Sequence, residues 1–169
     1  MSQRLPIPEE CREVFTYCKD TGRITRVTNP PRGPRTAGKL VDNKKCAAGY
    51  RKVRWYPHNL TAHRLVWFLH YGEQPPKYID HINGDRGDNR PENLREACHH
   101  TNLANAKRST RNTSGVKGVH YHKSSGKWMA KVGFKGEKHI AGYFDDIAEA
   151  EIAVRQLREQ LHGDFTNHG

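Results

Sequence analysis

A chain of 169 residues with 34% hydrophobic content has room for one or two small domains and no large core. Its net charge of +11 and pI near 9.7 point to a polyanionic partner, nucleic acid before any other. A membrane partner is not expected: the longest apolar run, LVWFL at 65–69, is far short of the roughly 20 residues of a span, and no signal-peptide pattern opens the chain.

The charge is unevenly spread. Net charge is +8 over residues 1–60, −1 over 61–101, +6 over 102–127 and −2 over 128–169. A near-neutral centre between two basic flanks suits a protein that tracks a phosphate backbone better than a uniformly solvated lysine surface does. The four cysteines, Cys11, Cys18, Cys46 and Cys98, form no C-x-x-C pair and read as reduced thiols of a cytoplasm. Cys98-His99-His100 lacks the second ligand pair of a structural zinc site.

In chain order, PEECREVFTYC (8–18) reads as a short helix, with Pro8 and Glu9 at its start and Val14, Phe15 and Cys18 on one side. Asp20-Thr21-Gly22 is a turn, and GRITRVT then alternates as a strand. Residues 29–38, NPPRGPRTAG, form an extended loop, either a linker or a basic strap on phosphates through Arg32 and Arg35. The neighbouring Lys39, Lys44 and Lys45 favour the strap. GYRKVRW alternates again, a β-ribbon that offers Arg51, Lys52 and Arg54 to DNA. Thr61 is placed to cap a helix that ends at Gly72 and buries Leu65, Val66, Phe68 and Leu69. His63 in its first turn is as compatible with structure as with function.

Tyr78–Ile82 reads as a strand that carries Asp80-His81 into the turn-rich loop NGDRGDN. Asn93 and Asn102 follow. Asn-Gly and Gly-Asp are ordinary turn residues, and Asp85 and Asp88 are read as shaping the loop. The combination of a carboxylate, an imidazole and carboxamides is nevertheless that of a hard-metal site with a base beside it. By local pattern Pro91–Cys98 is helical, and Thr101 starts a helix through about Arg108.

The order and spacing of Asp80-His81, Asn93 in NRPENLR and Asn102, with the approach segment HRLVW (63–67), resemble the HNH nuclease motif of phage- and intron-encoded homing endonucleases in its H-N-N form. The resemblance covers about 45 residues. It implies a ββα-metal (His-Me finger) unit in which Leu94–Cys98 is the second strand rather than a helix. It further implies that His81 is the general base, that Asn93 fixes the catalytic loop or orients His81, and that Asp80 and Asn102 hold one Mg²⁺ or Mn²⁺. Double-stranded DNA is then the substrate, cut to a 5′-phosphate and a 3′-hydroxyl, and the setting is the cytoplasm of a bacterial host.

Lys107, Arg108 and Arg111 lead into a basic linker, residues 108–115, that separates a first domain (1–107) from a second (116–169). Strands at 117–122, 127–134 and 137–143 are separated by Ser125-Gly126 and Lys135-Gly136, a meander. Asp146 and Glu149 form a capping box, after which Ile147, Ala150, Val154, Leu157 and Leu161 step along one helix face. The pattern GVxxxxxxGKWxAxV…GYFDxxxEAExA resembles the ethylene-response-factor (AP-two-type) DNA-binding domain over about 50 residues. Carried over by position, the base readers are Lys117, His120, His122, Lys131 and Lys138, where that family mostly has arginine and tryptophan. Lys cannot make the two-pronged guanine contact of Arg, so looser sequence reading is expected.

The expected class is therefore α+β: a ββα-metal core with an N-terminal β-ribbon region, then a small three-stranded antiparallel sheet with one helix. The expected activity is metal-dependent, site-specific homing or nicking DNA cleavage. A non-cleaving DNA-binding regulator and an RNA-binding accessory protein are the alternatives. The intact Asp80, His81, Asn93 and Asn102 argue against the first, and the lack of exposed aromatic runs argues against the second. One Asp-His…Asn…Asn set without an internal repeat can attack one phosphodiester per bound orientation, so a monomer that nicks one strand of an asymmetric site is expected.

Overall fold

A computed structural model describes residues 5–55, 58–98, 101, 105 and 108–169. The chain divides into two compact units, Met1–Glu96 and Ala97–Gly169. Among the described residues no helix is long and apolar enough to cross a membrane.

In the first unit the helix expected over 8–18 is a single turn, α1 (Cys11–Val14), which runs straight into β1 (Phe15–Tyr17). Phe15, Thr16 and Tyr17 are aromatic or β-branched and pair antiparallel with Arg26, Thr25 and Ile24 of β2 (Ile24–Arg26). That pairing buries Phe15 and Ile24, which a longer helix could not do. The loop from 29 to 38 is closed on itself: Asn29 Oδ1 accepts the backbone N–H groups of Thr36 and Ala37 at 3.0 and 3.1 Å. Arg32 and Arg35 stand exposed on it.

A second sheet, antiparallel in the order β3-β4-β5, is built from β3 (Lys44–Lys45), β4 (Arg51–Trp55) and β5 (His58–Thr61). It leads directly into α2 (Ala62–Tyr71). Thr61 has the extended backbone of an N-cap, but its hydroxyl makes no capping bond and is buried without a hydrogen-bond partner among the described residues, so the expected side-chain cap is absent there. Gly72 closes the other end in the left-handed region, its N–H on Phe68 O. α2 buries Leu65, Val66, Trp67 and Phe68 against Ile7, Cys11, Phe15, Ile24, Val53, Ile79 and Leu94, which form one continuous core.

β6 (Tyr78–His81) and β7 (Leu94–Ala97) make a two-stranded sheet. Of the helix that local pattern gives over Pro91–Cys98, only a 3₁₀ turn at Pro91–Asn93 exists. β7 follows because Leu94 inserts into the core beside Ile79. The segment expected as the next helix holds three described residues, Thr101, Asn105 and Arg108, with a hydrogen bond from Asn105 N to Thr101 O.

The second unit is a meander of β8 (Val119–His122), β9 (Lys127–Phe134) and β10 (Glu137–Phe144), in the order β10-β9-β8, with α3 (Ile147–His162) packed on one face. Lys135 and Gly136 both have positive φ, the geometry of the tightest hairpin turn. Asp146 Oδ1 caps α3 through Ala148 N at 3.1 Å. Val119, Ala130 and Val132 from the sheet meet Ala150 and Val154 from the helix, with Ile147, Leu157 and Leu161 at the edge. Arg158 is buried on this helix, 2% exposed, and its guanidinium donates to Lys117 O. The unit begins ahead of the 108–115 stretch because Asn105 belongs to it: Asn167 Nδ2 donates to Asn105 O at 2.9 Å.

Candidate active site

β6 delivers Asp80 and His81 side by side, each 4% exposed. Two neighbours in a strand point to opposite faces, so their burial requires protein on both sides of β6. α2 and the residue just ahead of β4 supply it around His81. The His63 ring stands edge-on to His81, with centroids 5.4 Å apart, and Tyr50 lies against both rings at 5.0 and 6.0 Å. His63, left open by the sequence, is thus buried in contact with the candidate base.

His81 Nε2 meets Asn89 Oδ1 at 3.2 Å. A carbonyl oxygen only accepts, so this contact suits the tautomer with its proton on Nε2 and its basic lone pair on Nδ1. Burial pushes the His81 pKa below its ordinary value, against the opposing pull of Asn89 and the nearby carboxylates of Asp80, Asp85 and Asp88. The ring is neutral at pH 7, as a proton acceptor must be. Asn89 is itself 1% exposed, and its Nδ2 is a buried donor without a hydrogen-bond partner among the described residues.

Asn89 is placed by a close approach from the β1–β2 turn. Gly22 has φ +63°, and a Cβ there would sit 2.2 Å from the Asn89 carbonyl carbon and 2.3 Å from Arg90 N. Only glycine lets that turn reach the loop.

Asn93 makes its carboxamide bonds within the loop. Its Oδ1 accepts from Asn83 N at 3.0 Å, and its Nδ2 donates to Asn83 Oδ1 at 3.0 Å and Asp88 O at 2.8 Å. Asp85 Oδ1 accepts Gly87 N, and Asp88 pairs with Arg90 at 2.8 Å, which holds its carboxyl below the usual range. These are loop-shaping bonds, as read for Asp85 and Asp88. Asp80 Oδ2 accepts from Arg95 Nε and Nη2 at 2.9 and 2.8 Å. Asn102 and Lys107 lie outside the described residues.

Among the described residues no three His, Cys, Asp or Glu side chains gather to hold an ion, which excludes a closed cage of such ligands there. Mg²⁺ needs only one or two protein carboxylates and takes the rest from water and phosphate. The buried Asp80 carboxylate fits that hard-oxygen chemistry.

The basic ribbon braces the same loop. Arg51 Nε donates to Gly87 O at 3.0 Å, Arg86 Nη1 donates to Ala48 O at 3.0 Å, and the Arg86 guanidinium lies 5.0 Å from the Tyr50 ring centre. A Cβ at Gly87 would meet Lys45 Nζ at 2.6 Å, so that ammonium lies on the loop. Arg51 is therefore turned inward, whereas Lys52 and Arg54 are exposed. Lys44 faces Lys52 and Lys45 faces Arg51 across the β3–β4 ladder. Like charges directly opposite are unfavourable until an anion lies over them.

In the second unit, cross-strand pairing puts His120, His122, Lys131 and Lys138 on the sheet face away from α3. Lys117 is different: it precedes β8, and its Nζ donates to Asn167 O at 2.7 Å. Burial and the Arg158 charge bring its pKa down to about 8. Arg108 and Arg111 are exposed.

In the sequence Asn89 and Gly22 read only as loop and turn residues, and Arg95 is not singled out. Asn89 and Gly22 sit among turn residues, where chemistry and turn-making look alike, and Arg95 reads as one more basic residue of a strand.

An HNH endonuclease domain is what the sequence comparison finds here, matching residues 61–104, the span that holds α2, β6, the loop and β7. Protein 3.8 of Escherichia phage T7 is 35% identical over 104 residues, which cover 61% of this chain and 85% of that protein. The chain belongs to the family of that phage protein, and its own residues 61–104 match the HNH endonuclease domain. No solved structure matches the chain significantly.

Proposed function

We propose that the protein is a metal-dependent DNA endonuclease in which His81 is the general base. The observation that carries this reading is the buried Asp80-His81 pair with the imidazole fixed through Nε2 on Asn89. In that tautomer Nδ1 takes the proton of the attacking water. Tyr50 and His63 pack the ring so that its orientation is set before substrate arrives. Asn93 keeps the loop in register through Asn83 and Asp88.

Asp80 and Asn102 would hold one Mg²⁺ or Mn²⁺, which supplies Lewis-acid stabilisation of charge on the phosphate and the leaving 3′ oxygen. Arg95 fixes one oxygen of Asp80. The products are a 5′-phosphate and a 3′-hydroxyl.

Exposed Arg32, Arg35, Lys52 and Arg54 of the first unit, and Arg108 and Arg111 of the second, contact the phosphate backbone. The opposed cations of β3 and β4 support this, since a phosphate over them relieves their repulsion. The second unit is an AP-two-type DNA-binding domain that lays the outer face of its sheet on the duplex through His120, His122, Lys131 and Lys138. Its three-strand, one-helix architecture and the lysines on that face support that reading. The enzyme acts as a monomer and nicks one strand of an asymmetric site, in the manner of a homing endonuclease.

Supercoiled plasmid incubated with the protein and Mg²⁺, with and without chelator, tests the activity. Relaxed product that appears only with free metal is expected, and plasmid left supercoiled in both arms overturns the nuclease reading. A duplex labelled separately on each strand tests the nick. Cleavage of one strand is expected, and equal simultaneous cuts at low protein concentration overturn it.

A further inference from the structure

The outer face of the β8–β10 sheet has a composition that bears on which bases it can tell apart. Cross-strand pairing gives its rows: His122 with Lys127, His120 with Met129 and Tyr143, Lys131 with Ile140, and Gly133 with Lys138. Directly opposed residues share a face, and these rows alternate with Val119–Ala130–Gly142 and Val132–His139, which turn toward α3. The rows hold lysines, histidines and three apolar side chains. They hold no Arg, no Asn or Gln, and no Asp or Glu.

Each absence removes one kind of base discrimination. The two-pronged contact to guanine needs Arg in its rigid form, the two-pronged contact to adenine needs Asn or Gln, and acceptance from the cytosine amino group needs a carboxylate. Lysine is a point charge that satisfies any acceptor on the groove floor, so it adds affinity without choosing a base. Lysine and histidine can still donate to guanine N7 or O6, but only as single-point contacts, and the distinguishing mark that apolar side chains recognise is the thymine C5-methyl.

The face is built for that contact. Ile140 is 54% exposed and Tyr143 is 44% exposed, on a surface otherwise cationic. Each apolar residue stands beside a cation or a titratable ring. Ile140 pairs with Lys131, Met129 pairs with His120, and the Tyr143 ring is 5.2 Å from His122. The basic neighbours suit a polyanion, and the apolar tips suit methyl groups between its phosphates.

We propose that this face selects thymine-containing sites, with Ile140 as the principal contact to the C5-methyl and Met129 and Tyr143 at its flanks. The inference rests on the reading of the sheet as a DNA-binding surface, and the test separates the two.

The full chain is held in chelator so that nothing is cut, and its preferred duplex is selected from a random pool. That duplex is then made with thymine and with uracil, which differ by the methyl alone. Loss of the methyl contact is expected to weaken wild-type binding roughly fourfold for each methyl buried. Ile140→Ala, an exposed position whose loss leaves the core intact, is expected to bind the two duplexes alike. Lys131→Gln with Lys138→Gln is expected to weaken both duplexes by the same factor. Equal wild-type affinity for thymine and uracil overturns the thymine assignment, as does discrimination that persists in Ile140→Ala. If the double lysine variant binds both duplexes as tightly as wild type, the sheet is not a DNA surface and both readings fall. A face that instead docks an acidic protein gives that last result.

Discussion

The two units of this protein place their polar groups in opposite ways. In the first, Asp80, His81, Asn89 and Asn93 are all 5% exposed or less, and they are held by Arg95, by one another and by loop backbone. In the second, Lys138 stands exposed and His120, His122 and Lys131 are half-buried on the sheet face away from α3, and the burial is apolar apart from Arg158 and Asn105. Buried polar groups must find partners inside the protein, and a network of that kind has one geometry. Open cations can wait for a ligand to bring the partners. Chemistry needs the first arrangement, because a base misplaced by an ångström loses its rate. Searching along a duplex is served by the second.

The largest effect is expected where the network meets the reaction. His81→Ala should lower metal-dependent nicking by roughly 10²–10⁴-fold while DNA binding in chelator stays at the wild-type level. Gel shift and plasmid relaxation on the same preparation check it, and a variant that cuts comparably would mean that another group is the base.

Gly22→Ala comes next, because it drives a Cβ into the Asn89–Arg90 backbone from a left-handed position. A loss of about 3 kcal/mol or more in the stability of the first unit is expected, with nicking falling alongside it. Denaturant unfolding followed by the tryptophans of that unit measures it. An unchanged midpoint would show that the turn can move away from Asn89 without cost.

The open cations should behave as independent phosphate contacts. Lys52→Gln with Arg54→Gln, and separately Lys131→Gln with Lys138→Gln, should each reduce the slope of log K against log salt by about 2. If the first pair changes the slope and the second does not, only the catalytic unit holds the backbone.

The smallest effect concerns Lys117, which crosses the comparison by being a half-buried cation in the open unit. Its folded-state pKa of about 8 lies below its ordinary value, so the folded protein releases this proton more readily than the unfolded chain. Between about pH 8 and the ordinary lysine value the unfolded chain binds the extra proton, and stability therefore rises with pH across that window. Below about 8 the cost of the buried charge is fully present. Lys117→Met should stabilise the second unit at pH 7 by on the order of 1 kcal/mol, after the lost bond to Asn167 O is set against the gain, and should flatten the alkaline rise. Thermal unfolding at pH 7 and pH 10 tests the sign. A variant less stable than wild type at pH 7 would mean that the Asn167 bond outweighs the burial.

Much of this architecture is carried by local pattern. The apolar steps of α2 and α3, the turn at Lys135-Gly136, the alternation of β4 and the strand before Asp80-His81 all lie where periodicity and turn chemistry put them. Those signals act over a few residues and are decided before distant parts of the chain meet. The site motif is equally local, since Asp80, His81 and Asn93 lie within one short segment.

What the sequence alone did not decide depends on pairs far apart in the chain. PEECREVFTYC becomes one helical turn and a strand because β2 lies beside it and the core takes Phe15. Pro91–Cys98 gives up its helical pattern once Leu94 is drawn into the core next to Ile79. Asn89 becomes the partner of His81 through a glycine 67 positions earlier, and Arg51 is pulled from solvent to the loop by Gly87 O, 36 positions later. Lys117 turns to the Asn167 carbonyl, 50 positions away. In each case the local preference is worth tenths of a kcal/mol per residue, whereas burying a ring or satisfying a buried donor is worth about one to three. The tertiary term is the larger, and no window of sequence contains it.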